Sequence, residues 1–220
     1  MPRRPETAWA SLRLADRIAP GLRVLFVGIN PGVRSAETGH HFAGPSNRFW
    51  KLLFESGLVP EPIGFEQDTR LPEFGFGITN IIARPSPGID VLKPAEYVAG
   101  WTILERKIDQ YRPEILALVG VTVFRAVLPL MAGGAGAARL KPSPRLRRPG
   151  KLRPASDAVI GLQPWAVHGA RVFVLPNPSG RNANFSYTEM LDAFTGLRRL
   201  VRAHRRLAAR PLHQQDKRHQ

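Results

Sequence analysis

The chain has 220 residues, with 32 lysines and arginines against 17 acids, a formal charge of +15, and no cysteine. That length suits one domain with a substantial core, and an apolar fraction of 43% is ordinary for a globular protein. No run approaches the roughly 18 apolar residues of a membrane span, residues 1–6 lack a signal-peptide core, and absent thiols exclude a disulfide framework and thiolate chemistry. The six histidines show no ligand spacing on a predicted helix, so neither a metal nor another cofactor is expected. An intracellular protein, cytoplasmic and associated with the nucleoid, is the simplest expectation. The basic excess favours a polyanion partner through phosphate contacts and counterion release, the alternative being a basic surface with no partner.

In chain order, residues 7–18 read as an amphipathic helix with Trp9, Leu12, Leu14 and Ile18 as its apolar set. Residues 23–27 are a fully apolar strand. Residues 45–57 read as a helix, with Pro45 in its first turn and Gly57 as its stop. A short strand over 76–82 follows a glycine turn, and 94–111 is a long helix with Tyr97, Trp101, Leu104 and Ile108 near a 3.6 period. Then come a buried strand over 115–119, a helix over 121–131, a last strand over 172–175 and a closing helix over 187–207. Strands alternating with helices imply a mainly parallel sheet covered on both faces. One domain is expected over residues 1–209. Within it, 132–155 reads as a flexible Pro- and Gly-punctuated basic insertion, and 210–220 reads as a polar disordered tail.

Two stretches share one grammar. Val24-Leu25-Phe26-Val27 runs into Gly28-Ile29-Asn30-Pro31-Gly32, and Val172-Phe173-Val174-Leu175 runs into Pro176-Asn177-Pro178-Ser179-Gly180. Each is a buried strand ending in an Asn-Pro turn, and the carboxyl ends of such strands are where ligands sit in open α/β sheets. By itself, either asparagine can be a turn-former bonded to its own backbone. Between them, Gly39-His40-His41-Phe42-Ala43-Gly44-Pro45-Ser46-Asn47-Arg48-Phe49-Trp50 puts an aromatic, Phe42, on a glycine-flanked loop before a helix. An aromatic placed there can stack on a base, or it can be a core phenylalanine. The first turn lacks Gly-x-Gly-x-x-Gly, and Pro31 removes an N–H from it, which argues against a dinucleotide cradle.

These three motifs, in this order, resemble those of the mismatch-specific uracil/thymine-DNA glycosylases of the uracil-DNA glycosylase superfamily. The likeness runs from about Arg23 to Leu200 and leaves out the N-terminal helix, most of the basic insertion and the tail. It implies a three-layer α/β/α sandwich with a short, mainly parallel central sheet. It also implies a monofunctional glycosylase that excises uracil, with thymine and ethenocytosine as further candidates, opposite guanine in duplex DNA during base excision repair. A monomer that flips the damaged base is the implied form.

Residue by residue, Asn30 matches the water-positioning residue, and Gly28 and Ile29 contribute backbone near the base. Phe42 matches the base-stacking aromatic. Asn177 stands where other branches carry a histidine that stabilises the leaving base. Ser179 and Gly180 let the loop approach the DNA backbone. Arg181 matches the wedge that fills the flipped nucleotide's place, and Asn182 and Asn184 stand near the orphaned guanine, unless Asn184 only caps the closing helix. Asp90 reads as an exposed loop acid or as a helper to the Asn30 water. Arg84 and Lys93 are candidate phosphate contacts, and His40 and His41 either bond phosphate or fix their loop. Two other readings stay open: the same fold acting on hypoxanthine or xanthine, and a lesion-binding protein without catalysis.

Overall fold

The computed structural model describes residues 7–134, 136–139 and 159–208. Most of the basic insertion and the whole tail therefore lie outside the described residues.

Among the described residues, six strands form one sheet in the order β2-β1-β3-β6-β5-β4. These are β1 (Val24–Gly28), β2 (Phe76–Asn80), β3 (Ile115–Val119), β4 (Ala137–Arg139), β5 (Gly161–Val167) and β6 (Ala170–Leu175). The four strands from β2 to β6 are parallel, while β5 and β4 add an antiparallel edge. Alternate side chains of β1 enter opposite cores, because successive Cβ atoms in a strand point to opposite faces. Val24 and Phe26 pack with α3 (Phe49–Glu55) and α6 (Tyr187–Ala208), against Phe49, Leu52, Phe194 and Leu197. Leu25 and Val27 pack with α4 (Pro94–Tyr111) and α5 (Val121–Gly133), against Trp101, Leu104, Val123 and Val127. Both faces are covered, so the fold is the expected three-layer α/β/α sandwich with a mainly parallel sheet.

Several elements depart from expectation. Helix α1 spans only Thr7–Ala10, not residues 7–18. Further on, Arg17 pairs with Ile78 through two backbone hydrogen bonds (3.0 and 2.9 Å), so the segment is spent as an extra strand-like edge on β2. Helix α3 starts at Phe49 rather than Pro45, because Gly44–Arg48 forms a turn in which the Asn47 side chain accepts from the Phe49 N–H at 2.9 Å. Gly57, at φ +71°, follows its end as expected. Strand β2 stops at Asn80, although Ile81 and Ile82 still donate to the carbonyls of Gly28 and Ile29 at 3.0 and 2.8 Å.

Four further elements have no counterpart in the sequence reading: α2 (Val33–Thr38), a 3-10 segment (Phe65–Phe74), β4 and β5. Strand β5 contains Pro164, whose missing N–H interrupts a strand pattern. The pairing with β6 shifts register between Leu162 and Ala166, and this irregularity accommodates the missing N–H. Residues 137–139, inside the stretch expected to be loop, form the edge strand β4. No described helix is long and apolar enough to cross a membrane.

Candidate active site

Chain order reverses direction across the sheet between β1 and β3, because β2 lies on one side of β1 and the next strand on the other. Ligands of open α/β sheets sit in the crevice outside the strands' carboxyl ends at such a point. A cleft of about 550 Å³ opens there. Its walls are the turn after β1, the loop carrying Phe42, the loop after β2 and the turn after β6. Gly28, Ile29, Asn30, Phe42, Asn177, Ser179 and Arg181 all line it. Gly180 and Asn182 belong to the same loop as Arg181 without lining the cleft. Arg34 and Arg181 bring positive charge to the lining, which among the described residues includes no carboxylate and no lysine.

The Asn30 amide is fixed by what surrounds its nitrogen. Nδ2 donates to Ser86 Oγ at 2.7 Å, to the Pro31 carbonyl at 3.1 Å and to the Arg84 carbonyl at 3.3 Å. Carbonyls only accept, so the nitrogen must face them and Oδ1 must point the other way. Ser86 Oγ spends its own hydrogen on the Gly88 carbonyl at 2.5 Å, which makes it an acceptor toward Asn30. The Ser86 N–H donates to Pro31 at 3.1 Å and ties the two loops together.

Phe42 sits at φ +53°, uncommon for a bulky residue. Its ring stacks on Phe49, with centroids 4.2 Å apart and an interplanar angle of 22°. His40 and His41 fix this loop. The His40 ring bonds Asp68 at 3.0 Å. His41 is buried, with Nε2 3.0 Å from the Ala15 carbonyl, and burial pushes its pKa down to about 4, leaving it neutral at pH 7.

The second turn is internally braced. Asn177 Oδ1 accepts from the Ser179 N–H at 3.0 Å, the turn-forming bond, and its Nδ2 stays uncommitted among the described residues. Asn182 uses both ends of its amide inside the loop, donating to the Asn177 carbonyl at 2.8 Å and accepting from the Asn184 N–H at 3.0 Å. Ser186, not Asn184, caps α6: its hydroxyl accepts from the Glu189 N–H at 3.3 Å, while Glu189 accepts from the Ser186 N–H at 2.8 Å. The Arg181 side chain is exposed and makes no hydrogen bond among the described residues. Gly180 lies so close to Ser46 that a Cβ would come within 2.8 Å of the Ser46 carbonyl oxygen. The Arg48 N–H also donates to the Pro178 carbonyl at 2.9 Å, so this loop rests on the entry to α3.

Three other sequence candidates stand aside from the cleft. Asp90 is exposed and folds back toward Gly88. Arg84 is engaged by Glu96 at 2.5 and 2.8 Å and by the Val91 carbonyl at 3.1 Å. That ion pair holds the Glu96 carboxyl down at about 2, chiefly through the Arg84 hydrogen bond. Lys93 is exposed at the entry to α4. Among the described residues no cluster of three or more His, Asp or Glu side chains is placed to hold a metal ion.

Comparison with known proteins gives the family and supports the fold. A family model for the uracil DNA glycosylase superfamily matches residues 15–198. The chain belongs to the uracil DNA glycosylase superfamily. Its members are DNA glycosylases, hydrolases of the N-glycosyl bond that joins base to sugar. The fold is similar to the solution NMR structure of a Methanosarcina acetivorans protein described as a candidate uracil DNA glycosylase. The TM-score is 0.53 at 15% identity, over 86% of this chain and 97% of that one.

Two residues of this glycosylase's cleft escaped the sequence reading. Asn80 closes β2 directly beside Gly28, its register partner on β1. Gly28 is glycine for this reason: a Cβ there would lie 2.5 Å from Asn80 Oδ1. The Asn80 carboxamide makes no hydrogen bond among the described residues. An amide ending an apolar strand was the available signal, hidden because that strand was expected to run to Ile82. Ser86 was hidden more deeply, since it is one serine in a proline-rich loop 56 residues from its partner.

Proposed function

We propose that this glycosylase is monofunctional and excises uracil opposite guanine from duplex DNA, with thymine and ethenocytosine as further bases to test. The observation that carries the proposal is the locked orientation of Asn30. With Nδ2 held by three acceptors, Oδ1 is the atom left to accept a hydrogen bond from a water. A base extruded into the cleft stacks on the Phe42 ring and offers its edge to the unpaired Asn80 carboxamide. The C1′–N1 bond breaks with its electrons leaving on the base. The Asn30-held water adds its oxygen to C1′ and releases a proton to solvent. An amide cannot take that proton as a carboxylate would, so the chemistry is slow. Uncommitted Nδ2 of Asn177 stands on the same cleft and can donate to the departing anion. No lysine among the described residues lines the cleft, so no Schiff base and no strand cleavage are expected. Exposed Arg181 fills the vacated stack and reads the orphaned guanine.

The test is a panel of labelled duplexes carrying U·G, T·G, ethenocytosine·G, U·A and hypoxanthine·T, plus single-stranded uracil. The protein is used without added metal, and abasic sites are revealed by alkali under single-turnover conditions. Cleavage confined to pyrimidines opposite guanine supports the proposal. Excision of hypoxanthine, or equal excision from U·A and single strands, overturns the specificity. Tight binding without any excision overturns the catalytic assignment.

A further inference from the structure

Phe42 keeps its left-handed backbone because nearly every polar backbone group around it is held. The Gly39 carbonyl accepts from Arg17 Nη2 at 2.8 Å, and the His40 N–H donates to the Ser35 carbonyl at 3.1 Å. The His41 carbonyl accepts from the Trp50 indole at 3.1 Å. Beyond Phe42, the Ala43 N–H donates to Ser35 Oγ at 3.1 Å and its carbonyl accepts from Arg34 Nε at 2.8 Å. Phe42's own N–H and carbonyl make no hydrogen bond among the described residues. A strained backbone of this kind persists only where its surroundings over-determine it.

Asp68 is where the restraints on the near side converge. It lies on the 3-10 segment, and its carboxylate is fully buried. Oδ1 accepts from Arg17 Nε at 2.9 Å and from His40 Nδ1 at 3.0 Å, and Oδ2 accepts from the His41 N–H at 2.9 Å. The two sheet cores close without it, and its hydrogen-bond partners are Arg17 and the loop that precedes Phe42. A buried charge is costly unless fully paired, so its placement here needs a reason other than core packing.

We infer that Asp68 is a positioning residue for base excision: through Arg17, His40 and the His41 amide it holds Phe42 where its ring can receive an extruded base. This rests on the reading of Phe42 as the stacking aromatic. Asp68 touches no substrate and acts only through that loop.

The experiment is a double-mutant cycle. Asp68→Asn and Phe42→Ala are made singly and together, and single-turnover excision is measured on a U·G duplex. Affinity is measured for two non-cleavable duplexes, one with 2′-fluoro-deoxyuridine opposite guanine and one with tetrahydrofuran, which has no base to stack. Expected is a tenfold or greater rate loss for Asp68→Asn that disappears in the Phe42→Ala background. Weaker binding of the fluorinated duplex is expected too, with tetrahydrofuran binding within twofold of wild type. Equal rate losses in both backgrounds, or parallel loss of tetrahydrofuran binding, overturn the inference while leaving the Phe42 reading intact. A Phe42→Ala enzyme as fast as wild type overturns both. Arg17→Ala, which removes two restraints and leaves the carboxylate in place, carries the same cycle should Asp68→Asn fail to fold.

Discussion

Asn30 donates its side-chain N–H to Ser86 Oγ at 2.7 Å, although the two residues lie 56 positions apart. The serine is locked in turn by its bond to the Gly88 carbonyl, so one amide orientation is fixed by a neighbouring loop. In the proposed mechanism, truncating the amide removes the water's acceptor. Asn30→Ala should lower single-turnover excision by roughly 10²–10³-fold, with duplex affinity within about twofold of wild type. Ser86→Ala should cost on the order of tenfold, the worth of one hydrogen bond, and Ser86→Thr should restore most of it. An Asn30→Ala protein that excises normally but binds poorly would contradict the assignment.

A carboxylate at the same place behaves differently from what a simple gain of basicity suggests. In Asn30→Asp an oxygen replaces the nitrogen that now faces the Pro31 and Arg84 carbonyls at 3.1 and 3.3 Å. Lost donors and oxygen–oxygen repulsion should destabilise the fold by roughly 2 kcal/mol. Repulsion raises the new carboxyl's pKa, so excision should climb with pH as it ionises. Calorimetry should find the melting temperature lower by about 4–8 °C. An unchanged melting temperature would show that the nitrogen's three contacts contribute nothing.

The parallel sheet was legible because its strands are continuous apolar runs that punctuate cleanly at Asn-Pro turns. Asn30, Phe42 and Arg181 could be picked out as cleft residues because each stands beside such a turn or within a glycine-flanked loop. Local pattern could not reveal the partners that set their geometry. Ser86, Asn80 and Asp68 act across 56, 52 and 26 residues respectively on Asn30, Gly28 and Phe42, through register and burial that only the fold creates. Strand β5 was lost for another reason, since Pro164 breaks its pattern while the irregular pairing absorbs it. The residues 7–18 helix failed because the backbone of Arg17 is paired to β2 instead of to its own turn.

Gly180 tests the seating of the second turn. A methyl group there would meet the Ser46 side chain at 2.5 Å and its backbone oxygen at 2.8 Å, so the loop must lift from the entry to α3. Gly180→Ala should weaken binding to a U·G duplex by about five- to tenfold while shifting the melting temperature by less than about 2 °C. Unaltered affinity in a fluorescence anisotropy titration would show that the contact has no bearing on DNA.

Arg181 tests the proposed guanine preference. Its side chain is exposed and uncommitted among the described residues, so substitution leaves the fold alone. Arg181→Leu keeps apolar bulk for the vacated stack but loses the donors that a guanine edge accepts. The ratio of excision rates for U·G over U·A should fall by roughly tenfold, within the 1–3 kcal/mol that a bidentate base contact discriminates. A ratio equal to wild type would assign the preference to other groups.

Acid should loosen the Phe42 loop before it alters the sheet. The folded-state pKa of His41 is depressed from 6.5 to about 4, chiefly by burial, so the unfolded chain binds this proton more readily. Stability from His41 is complete above about pH 6.5 and falls as the pH drops toward 4, by roughly 3 kcal/mol at about 1.4 kcal/mol per unit. Burial alone would raise the Asp68 carboxyl. The His41, His40 and Arg17 hydrogen bonds outweigh it and hold it below its usual 3.8, so its contribution is lost at still lower pH. Urea midpoints measured from pH 7.5 to 4 should therefore decline mainly below 6.5, with excision declining alongside. His41→Gln, which cannot titrate, should flatten the slope between 6.5 and 4 even though it starts from a lower midpoint. A slope unchanged by this substitution would assign the acid sensitivity to another group.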